Sequence, residues 1–248
     1  MKIIEVENYQ ELSQATSTLI VQKVSDNPAA VLGLATGSTP IGTYKEMIKD
    51  YKNHGTSYER VKTINLDEYV GLPYANENSY HYFMKEQLFK HLNFRDETTF
   101  IPNGLADDLE EACRSYDQLI KENPIDLQIL GIGENGHIGF NEPGTSFLSH
   151  THIVELTHST RKANARFFNH ITEVPTHAIT MGIASILQSK EILLLASGYK
   201  KADAIRRLLN GSVSEGFPAS ALNQHHNVTI IADKEALSQA IDQKRSIK

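Results

Sequence analysis

Short apolar runs recur along the whole chain, and longer amphipathic stretches separate them. Most of the runs are rich in Ile, Val and Leu and show little polar alternation, a pattern typical of parallel strands that are buried on both faces. The predicted strands cover residues 2–6, 30–34, 61–66, 127–130, 177–181, 191–196 and 228–232.

Helical periodicity appears between several of these strands. Ile41, Tyr44, Ile48 and Tyr51 recur at spacings of three and four residues, which places them on one helix face. The same spacing predicts a helix that begins near Ala202, and residues 80–91 and 105–122 are also predicted to be helical. Alternation of strands and helices predicts an α/β fold with a doubly wound, mostly parallel, Rossmann-like sheet and helices on both faces. In such a fold, ligands bind at the carboxyl ends of the strands.

Composition narrows the class of protein. The 248 residues show no repeat or linker, so we expect a single domain over residues 1–248. A net charge of −6 argues against a general nucleic-acid binder, and the single cysteine, Cys113, excludes an intramolecular disulfide framework. Glu5 interrupts the only apolar run near the N-terminus, and no run approaches the ~20 residues of a membrane span. We therefore expect a soluble, cytoplasmic protein without a membrane partner.

A glycine loop follows the second predicted strand. Gly37 allows a tight turn, Thr39 is predicted to cap the next helix, and Pro40 suits the first position of that helix. The free amides at the start of the helix and the hydroxyls of Ser38 and Thr39 would then favour an anion such as a phosphate. The loop alone leaves two interpretations open, a phosphate site or an ordinary capped turn.

Two further segments follow predicted strands. Asp67 and Glu68 come where the third strand should end, so either carboxylate could face a ligand as a general base or lie in a solvated acidic turn. Residues 131–144 contain five glycines around His137, Asn135 and Glu142. Because glycine costs conformational entropy, this density indicates close approach of the backbone to a ligand. Histidine is the residue type whose side chain can both take and give protons near neutral pH, so His137 is a candidate for proton transfer, and Glu142 could orient it.

Several other polar residues are candidates for binding an anion or a metal. Arg161, Lys162 and Arg166 are predicted to share one helical stretch, and Lys201 is predicted in the first turn of a later helix, where an anion would offset its unfavourable position. The pairs His150/His152 and His225/His226 lack a convincingly spaced third ligand, so no metal is expected.

The segments 33–40, 65–69, 131–144, 163–168 and 217–222 together resemble the glucosamine/galactosamine-6-phosphate isomerase family, and within it the glucosamine-6-phosphate deaminases. The resemblance runs from residue 1 to about residue 233. It implies conversion of glucosamine 6-phosphate and water to fructose 6-phosphate and ammonium in amino-sugar catabolism, without a cofactor.

The resemblance also implies a role for individual residues. Asp67 matches the base that moves a proton between C2 and C1, and His137 matches the group that opens the sugar ring. Asn135 and Glu142 would orient or assist His137. The residues implied in holding the 6-phosphate are Gly37, Ser38, Thr39, Arg166 and Lys201. A mobile lid is expected around residues 155–175.

Two positions depart from the family pattern. Many members have an acid where this chain has Asn135, and we expect Asn135 to accept a hydrogen bond from the His137 ring and hold its tautomer. Allosterically activated hexameric members use an arginine and a lysine where this chain has His152 and Val154. We therefore expect no activation by N-acetylglucosamine 6-phosphate, and a monomer is favoured over a homo-oligomer.

Three alternatives remain open at this point. A 6-phosphogluconolactonase would share the fold and the phosphate loop but would need no base at C2. A sugar-phosphate sensor would bind without turnover, although no residues are left for a DNA-binding module. Galactosamine 6-phosphate is the nearest rival substrate, since it differs only at C4.

Overall fold

A seven-stranded parallel sheet forms the centre of the molecule. The computed structural model describes residues 1–157, 160–162, 165, 168 and 170–240. The sheet order is β1-β10-β9-β6-β2-β3-β5, and every neighbouring pair is parallel. These strands are β1 (Lys2–Val6), β2 (Val31–Leu34), β3 (Lys62–Asn65), β5 (Thr99–Phe100), β6 (Leu127–Gly131), β9 (Ile192–Ala196) and β10 (Val228–Asp233). The α/β class and the parallel sheet are confirmed.

The molecule also contains a second, antiparallel sheet, which the pattern of apolar runs does not predict. Its order is β4-β8-β7, with β4 at Asp67–Tyr69, β7 at His152–Glu155 and β8 at His177–Thr180. The prediction that the apolar run at 177–181 forms a parallel strand is wrong, because β8 pairs antiparallel with both β4 and β7. Ala178, Ile179 and Thr180 are all buried, so this strand is covered on both faces, as a central parallel strand is.

Helices cover both faces of the main sheet. They are α1 (Tyr9–Asp26), α2 (Ile41–His54), α3 (Tyr80–Gln87), α4 (Leu109–Glu122), α5 (Ile183–Leu187), α6 (Ala202–Asn210) and α7 (Lys234–Leu237). Two predicted helices are shorter than expected: α4 begins after its cap Asp108 rather than at residue 105, and α3 gives way to a short 3-10 turn at Phe89–His91. Side chains of α1, α2 and α3 pack on one face of the sheet, and those of α4 to α7 pack on the other.

The longest helix, α1, was not predicted from the pattern. Its buried face includes Ser13, Thr16 and Ser17 beside Leu12, Ile20 and Val24. These small hydroxyl residues weaken the apolar periodicity, but they permit close packing against α2. A Cβ on Gly42 of α2 would lie only 2.1 Å from the hydroxyl of Ser13. The contact between these helices therefore depends on small residues rather than on an apolar stripe.

Candidate active site

Four neighbouring strands of the main sheet end at one edge, and each is followed by a segment singled out in the sequence. In sheet order, β9 leads to Lys201, β6 to the glycine-rich loop, β2 to the loop at 36–40, and β3 to Asp67. Because the carboxyl ends of parallel strands share an edge, the fold gathers these groups on one side of the molecule.

The loop after β2 has the expected turn but a different helix start. Gly37 has φ 86°, in the left-handed region that favours glycine, and Ser38 is exposed. The predicted cap at Thr39 is wrong, because Pro40 occupies the N-cap position and no side chain caps this helix from there. The hydroxyl of Tyr9 instead accepts a hydrogen bond from the amide of Gly42 at 2.8 Å. Nothing in the sequence connects Tyr9 to this loop.

Asp67 is a buried carboxylate at the start of β4. It is 6% exposed, and burial together with the charge of Glu68 raises its pKa to about 8. Its Oδ2 atom lies 3.6 Å from the position that a Cβ would occupy on Gly139, in the glycine-rich loop. Gly139 has φ 58°, so its backbone also requires glycine. The structure therefore brings Asp67 and the loop of His137 into contact.

The side chain of Glu68 points away from that of Asp67, because successive side chains of a strand lie on opposite faces. Its Oε1 atom accepts hydrogen bonds from the amides of Tyr69 and Tyr80 at 2.8 and 2.9 Å. Its Oε2 atom accepts from the amide of His81 at 2.9 Å and contacts Nδ1 of the same residue at 2.8 Å. Glu68 therefore stabilises the N-terminus of α3, and only Asp67 remains as the candidate base of this pair.

The ring of His137 packs directly on Gly133. A Cβ at Gly133 would lie 2.4 Å from both Cε1 and Nδ1 of the ring, so a larger residue at this position would displace it. The His137 side chain is 37% exposed, whereas its Nδ1 atom is buried. Nδ1 faces Oε2 of Glu142 at 3.7 Å, a distance for electrostatic attraction rather than a hydrogen bond.

Two hydrogen-bond donors hold the Glu142 carboxylate. Asn135 Nδ2 donates to Oε2 at 2.7 Å, and Thr160 Oγ1 donates to Oε1 at 2.6 Å. Burial alone would raise the pKa of Glu142, but the interactions with His137, Thr160 and Asn135 together outweigh it and lower the pKa to about 2. Glu142 is therefore a fixed negative charge beside the buried nitrogen of His137.

The expected contact from Asn135 to the His137 ring is wrong. Asn135 Oδ1 accepts instead from the backbone amide of His137 at 3.1 Å, while the side-chain amide binds Glu142. This arrangement follows from the spacing: a residue two positions before His137 reaches its amide in a local turn more easily than its ring. Asn135 thus acts on His137 through the backbone and through Glu142.

Contacts with β8 fix the remainder of the glycine-rich loop. The amide of Phe140 donates to Oγ1 of Thr180 at 3.1 Å, and Thr180 pairs with Asp67 across the small sheet. Asn141 is buried, and its Nδ2 atom donates to the carbonyls of Ile138 and Met181, both at 2.9 Å. The antiparallel sheet therefore holds the candidate base and the histidine loop in one register.

The basic residues divide into different roles. Arg166 lies outside the described residues, as does part of the expected lid at 155–175, so both remain predictions. Arg161 donates from its guanidinium to the carbonyls of Ile171 and Val174, which makes it a structural residue. Lys201 occupies the N-cap position of α6.

Asp233 holds the turn before Lys201, a role that the sequence motifs do not predict. It accepts hydrogen bonds from the hydroxyl of Ser197 and the amide of Gly198. Its position directly at the carboxyl end of β10 is the signal that could have identified it.

Two of the other candidates have structural roles. Cys113 is buried in α4, and burial is the main reason that its pKa rises to about 11. His225 contacts the carbonyl of Ser189 at 2.7 Å. Over the part of the chain that the structure describes, no cluster of three or more His, Cys, Asp or Glu side chains could hold a metal ion. No helix in that part is both long enough and apolar enough to cross a membrane.

Comparison with known proteins identifies the family of this chain. The model of the glucosamine-6-phosphate isomerase/6-phosphogluconolactonase family matches residues 5–231. A glucosamine-6-phosphate deaminase from a Geobacillus species (strain WCH70) is 54% identical over 248 residues, covering all of this chain and 99% of that protein. The deaminase from Bacillus cytotoxicus is 58% identical over 238 residues, covering 96% of this chain and 88% of that protein.

Solved structures agree with these matches. A monomeric glucosamine-6-phosphate deaminase superposes with a TM-score of 0.94 at 52% identity, covering 96% of this chain and all of that chain. A 6-phosphogluconolactonase from Trypanosoma brucei reaches 0.78 at 19% identity, covering 96% and 97%, and this second likeness concerns the fold alone. The chain therefore belongs to the glucosamine-6-phosphate isomerase/6-phosphogluconolactonase family.

Proposed function

We propose that this protein is a glucosamine-6-phosphate deaminase, which converts glucosamine 6-phosphate and water to fructose 6-phosphate and ammonium in amino-sugar metabolism. The observation that carries the proposal is the buried carboxylate of Asp67 against Gly139, in the loop of His137. Lactone hydrolysis requires no base at a sugar carbon, whereas isomerisation does.

His137 is assigned the opening of the sugar ring. This step takes the proton from the O1 hydroxyl and delivers a proton to the ring oxygen O5, so that the C1–O5 bond breaks and C1 becomes an aldehyde. An imidazole can perform both transfers near neutral pH. Glu142 favours the protonated ring that forms between them, because its negative charge lies 3.7 Å from Nδ1.

Asp67 is assigned the proton transfer between the two carbons. Its carboxylate removes the proton from C2 as the aldehyde oxygen O1 takes up a proton, which gives an enolamine. It then returns a proton to C1 as the amino group at C2 releases one. The product is an imine at C2, and water hydrolyses it to the ketone and ammonium. A pKa of about 8 suits this role, because a base is most effective when its pKa lies near the working pH.

The phosphate end of the substrate is assigned to the loop of Gly37, Ser38 and Thr39, together with Arg166 and Lys201. Backbone amides of this loop and the two cations would form charge-assisted hydrogen bonds to a phosphate, which are among the stronger polar contacts. Holding the far end of the sugar sets C1 and C2 against Asp67.

A coupled assay for ammonium and fructose 6-phosphate tests the function. Glucosamine 6-phosphate, galactosamine 6-phosphate and 6-phosphogluconolactone are supplied separately, and Asp67→Asn and His137→Gln serve as inactive controls. We expect ammonium from glucosamine 6-phosphate in the unmodified protein only. Absence of ammonium from both amino sugars would contradict the proposal, and hydrolysis of the lactone unaffected by Asp67→Asn would favour a lactonase.

We also propose that the enzyme is a monomer without activation by N-acetylglucosamine 6-phosphate. His152 and Val154 lie in β7, where activated members carry the cations of the effector site, and the related solved deaminase is monomeric. Sedimentation should give a mass near 27.7 kDa, and the kinetics should be hyperbolic with or without the effector. Sigmoidal kinetics abolished by the effector would contradict this. The cytoplasmic location expected from the sequence stays a prediction.

A further inference from the structure

We infer that Tyr9, the first residue of α1, is a positioning residue for the phosphate-binding loop at residues 36–40. The inference rests on the proposed function, since it takes the ligand of this loop to be the phosphate of the substrate. Tyr9 lies just after β1, so its side chain begins at the same edge of the sheet as the loop.

The phenol hydroxyl of Tyr9 joins the loop to two helices. It donates a hydrogen bond shared between the carbonyls of Ser38 and Thr39, at 2.9 and 3.0 Å, and accepts one from the amide of Gly42 at 2.8 Å. The single O–H and an acceptor position are therefore both in use, and α1, the loop and α2 meet at one atom.

This contact determines which groups the loop offers to a ligand. No peptide bond of the described chain is cis, so the Thr39 amide points away from the Ser38 carbonyl, and hence away from Tyr9. Carbonyl oxygens carry partial negative charge and would repel a phosphate if they turned toward it. By holding both carbonyls, Tyr9 leaves the amide side of the loop for an anion.

Tyr9 also takes over a task that a loop side chain usually performs. At many helix starts a Ser, Thr, Asp or Asn side chain accepts from the amide two or three positions later. Here the Gly42 amide is satisfied by Tyr9, so the hydroxyls of Ser38 and Thr39 are not needed as caps. Among the described residues neither hydroxyl has a hydrogen-bonding partner, which leaves both for the substrate.

The position of Tyr9 is itself well determined. Asn8 caps α1 by accepting from the amide of Glu11 at 3.0 Å, and Ser13 Oγ donates to the carbonyl of Tyr9 at 2.8 Å. A Cβ on Gly42 would lie 3.0 Å from the Tyr9 hydroxyl, so the glycine permits the close approach. The hydroxyl therefore holds the loop before any ligand arrives.

The test removes only this hydroxyl, by Tyr9→Phe, and measures phosphate binding separately from chemistry. Tyr51→Phe is the matched control, because Tyr51 lies at the far end of α2 from the loop. The measurements are the KM and kcat for glucosamine 6-phosphate, the Kd of inorganic phosphate by calorimetry without substrate, and the Tm.

For Tyr9→Phe we expect the KM and the phosphate Kd each to rise about five- to tenfold, which is the size of one net hydrogen bond. The kcat should stay within about twofold, and Tyr51→Phe should match the unmodified protein. An unchanged phosphate Kd in Tyr9→Phe would overturn the inference, and so would an equal change in Tyr51→Phe. Failure of the unmodified protein to bind inorganic phosphate would also overturn the inference. The two proposals can fail separately. If the unmodified protein binds phosphate but releases no ammonium, and Tyr9→Phe weakens the phosphate binding, the inference is supported and the proposed function fails.

Discussion

The imidazole of His137 lies against Gly133, in space that any side chain at that position would fill. Both residues belong to the loop after β6, and the amide of Gly133 donates to the carbonyl of His137 at 2.9 Å. The glycine therefore determines where the ring lies, and this contact explains one of the glycines in the loop.

Gly133→Ala should displace the ring and lower kcat/KM by about 100-fold, since a shift of about 1 Å in a reacting group has this effect. Gly131→Ala is the control, because a Cβ there meets nothing within 4 Å and should change kcat/KM less than about twofold. Steady-state kinetics of both variants checks the prediction. Equal activity in the two variants would show that the ring position does not depend on Gly133.

Asp67→Asn should lower kcat by about 10² to 10⁴, the usual contribution of a general base. In the unmodified enzyme, kcat/KM should fall as the pH drops below about 8, because Asp67 must be ionised to accept a proton. An exposed aspartate, Asp107, provides the control substitution Asp107→Asn. A pH profile without an ionisation near 8 would contradict the assignment.

Asp67→Asn should also change the stability of the protein in a pH-dependent way. The unfolded chain ionises Asp67 near pH 4 and the folded chain near pH 8, so between these values the folded state holds an extra proton and loses stability as the pH rises. Asparagine does not ionise. The Tm of Asp67→Asn relative to the unmodified protein should therefore be higher at pH 9 than at pH 5, and a pH-independent difference would argue against a buried, titrating carboxyl.

Asn135→Ala removes the donor to Glu142 and the acceptor of the His137 amide. We expect kcat to fall about tenfold, since a lost hydrogen bond to a charged group costs about 1.5 kcal/mol or more. The pKa of Glu142 should rise, because one of the groups that lowers it is gone. The control is Asn53→Ala on the exposed side of α2. An unchanged rate and an unchanged pH profile would leave Asn135 without a role.

Thr160→Val removes the donor to Oε1 of Glu142, whereas Thr160→Ser keeps a hydroxyl there. The pKa of Glu142 is lowered, so its stabilisation is complete above the ordinary glutamate pKa and is lost as the pH falls toward 2. As the pH falls through this window, the free energy of unfolding should decrease less in the valine variant than in the serine variant. Identical acid unfolding curves would contradict the role of Thr160.

Much of this protein follows from local pattern. Buried apolar runs identify the parallel strands, glycines beside polar residues mark the loops after β2 and β6, and adjacent carboxylates mark the segment after β3. These signals all arise between neighbours in the chain. Gly37 and Gly139 have left-handed backbone angles, in loops that the sequence alone marks as glycine-rich turns. The family, and with it the reaction class, is also readable from these segments.

Only the tertiary structure decided the contacts between distant parts of the chain. Tyr9 lies 29 residues before Ser38, and no periodicity or composition links the two; packing of α1 on α2 brings them together. Similarly, the pairing of β8 with β4 cannot be deduced from an apolar run, since burial by either sheet gives the same pattern. Asp67 and Glu68 are adjacent in sequence, and successive side chains of a strand point to opposite faces. Only the fold determines that the Asp67 carboxylate lies against the loop of His137 and the Glu68 carboxylate at the start of α3.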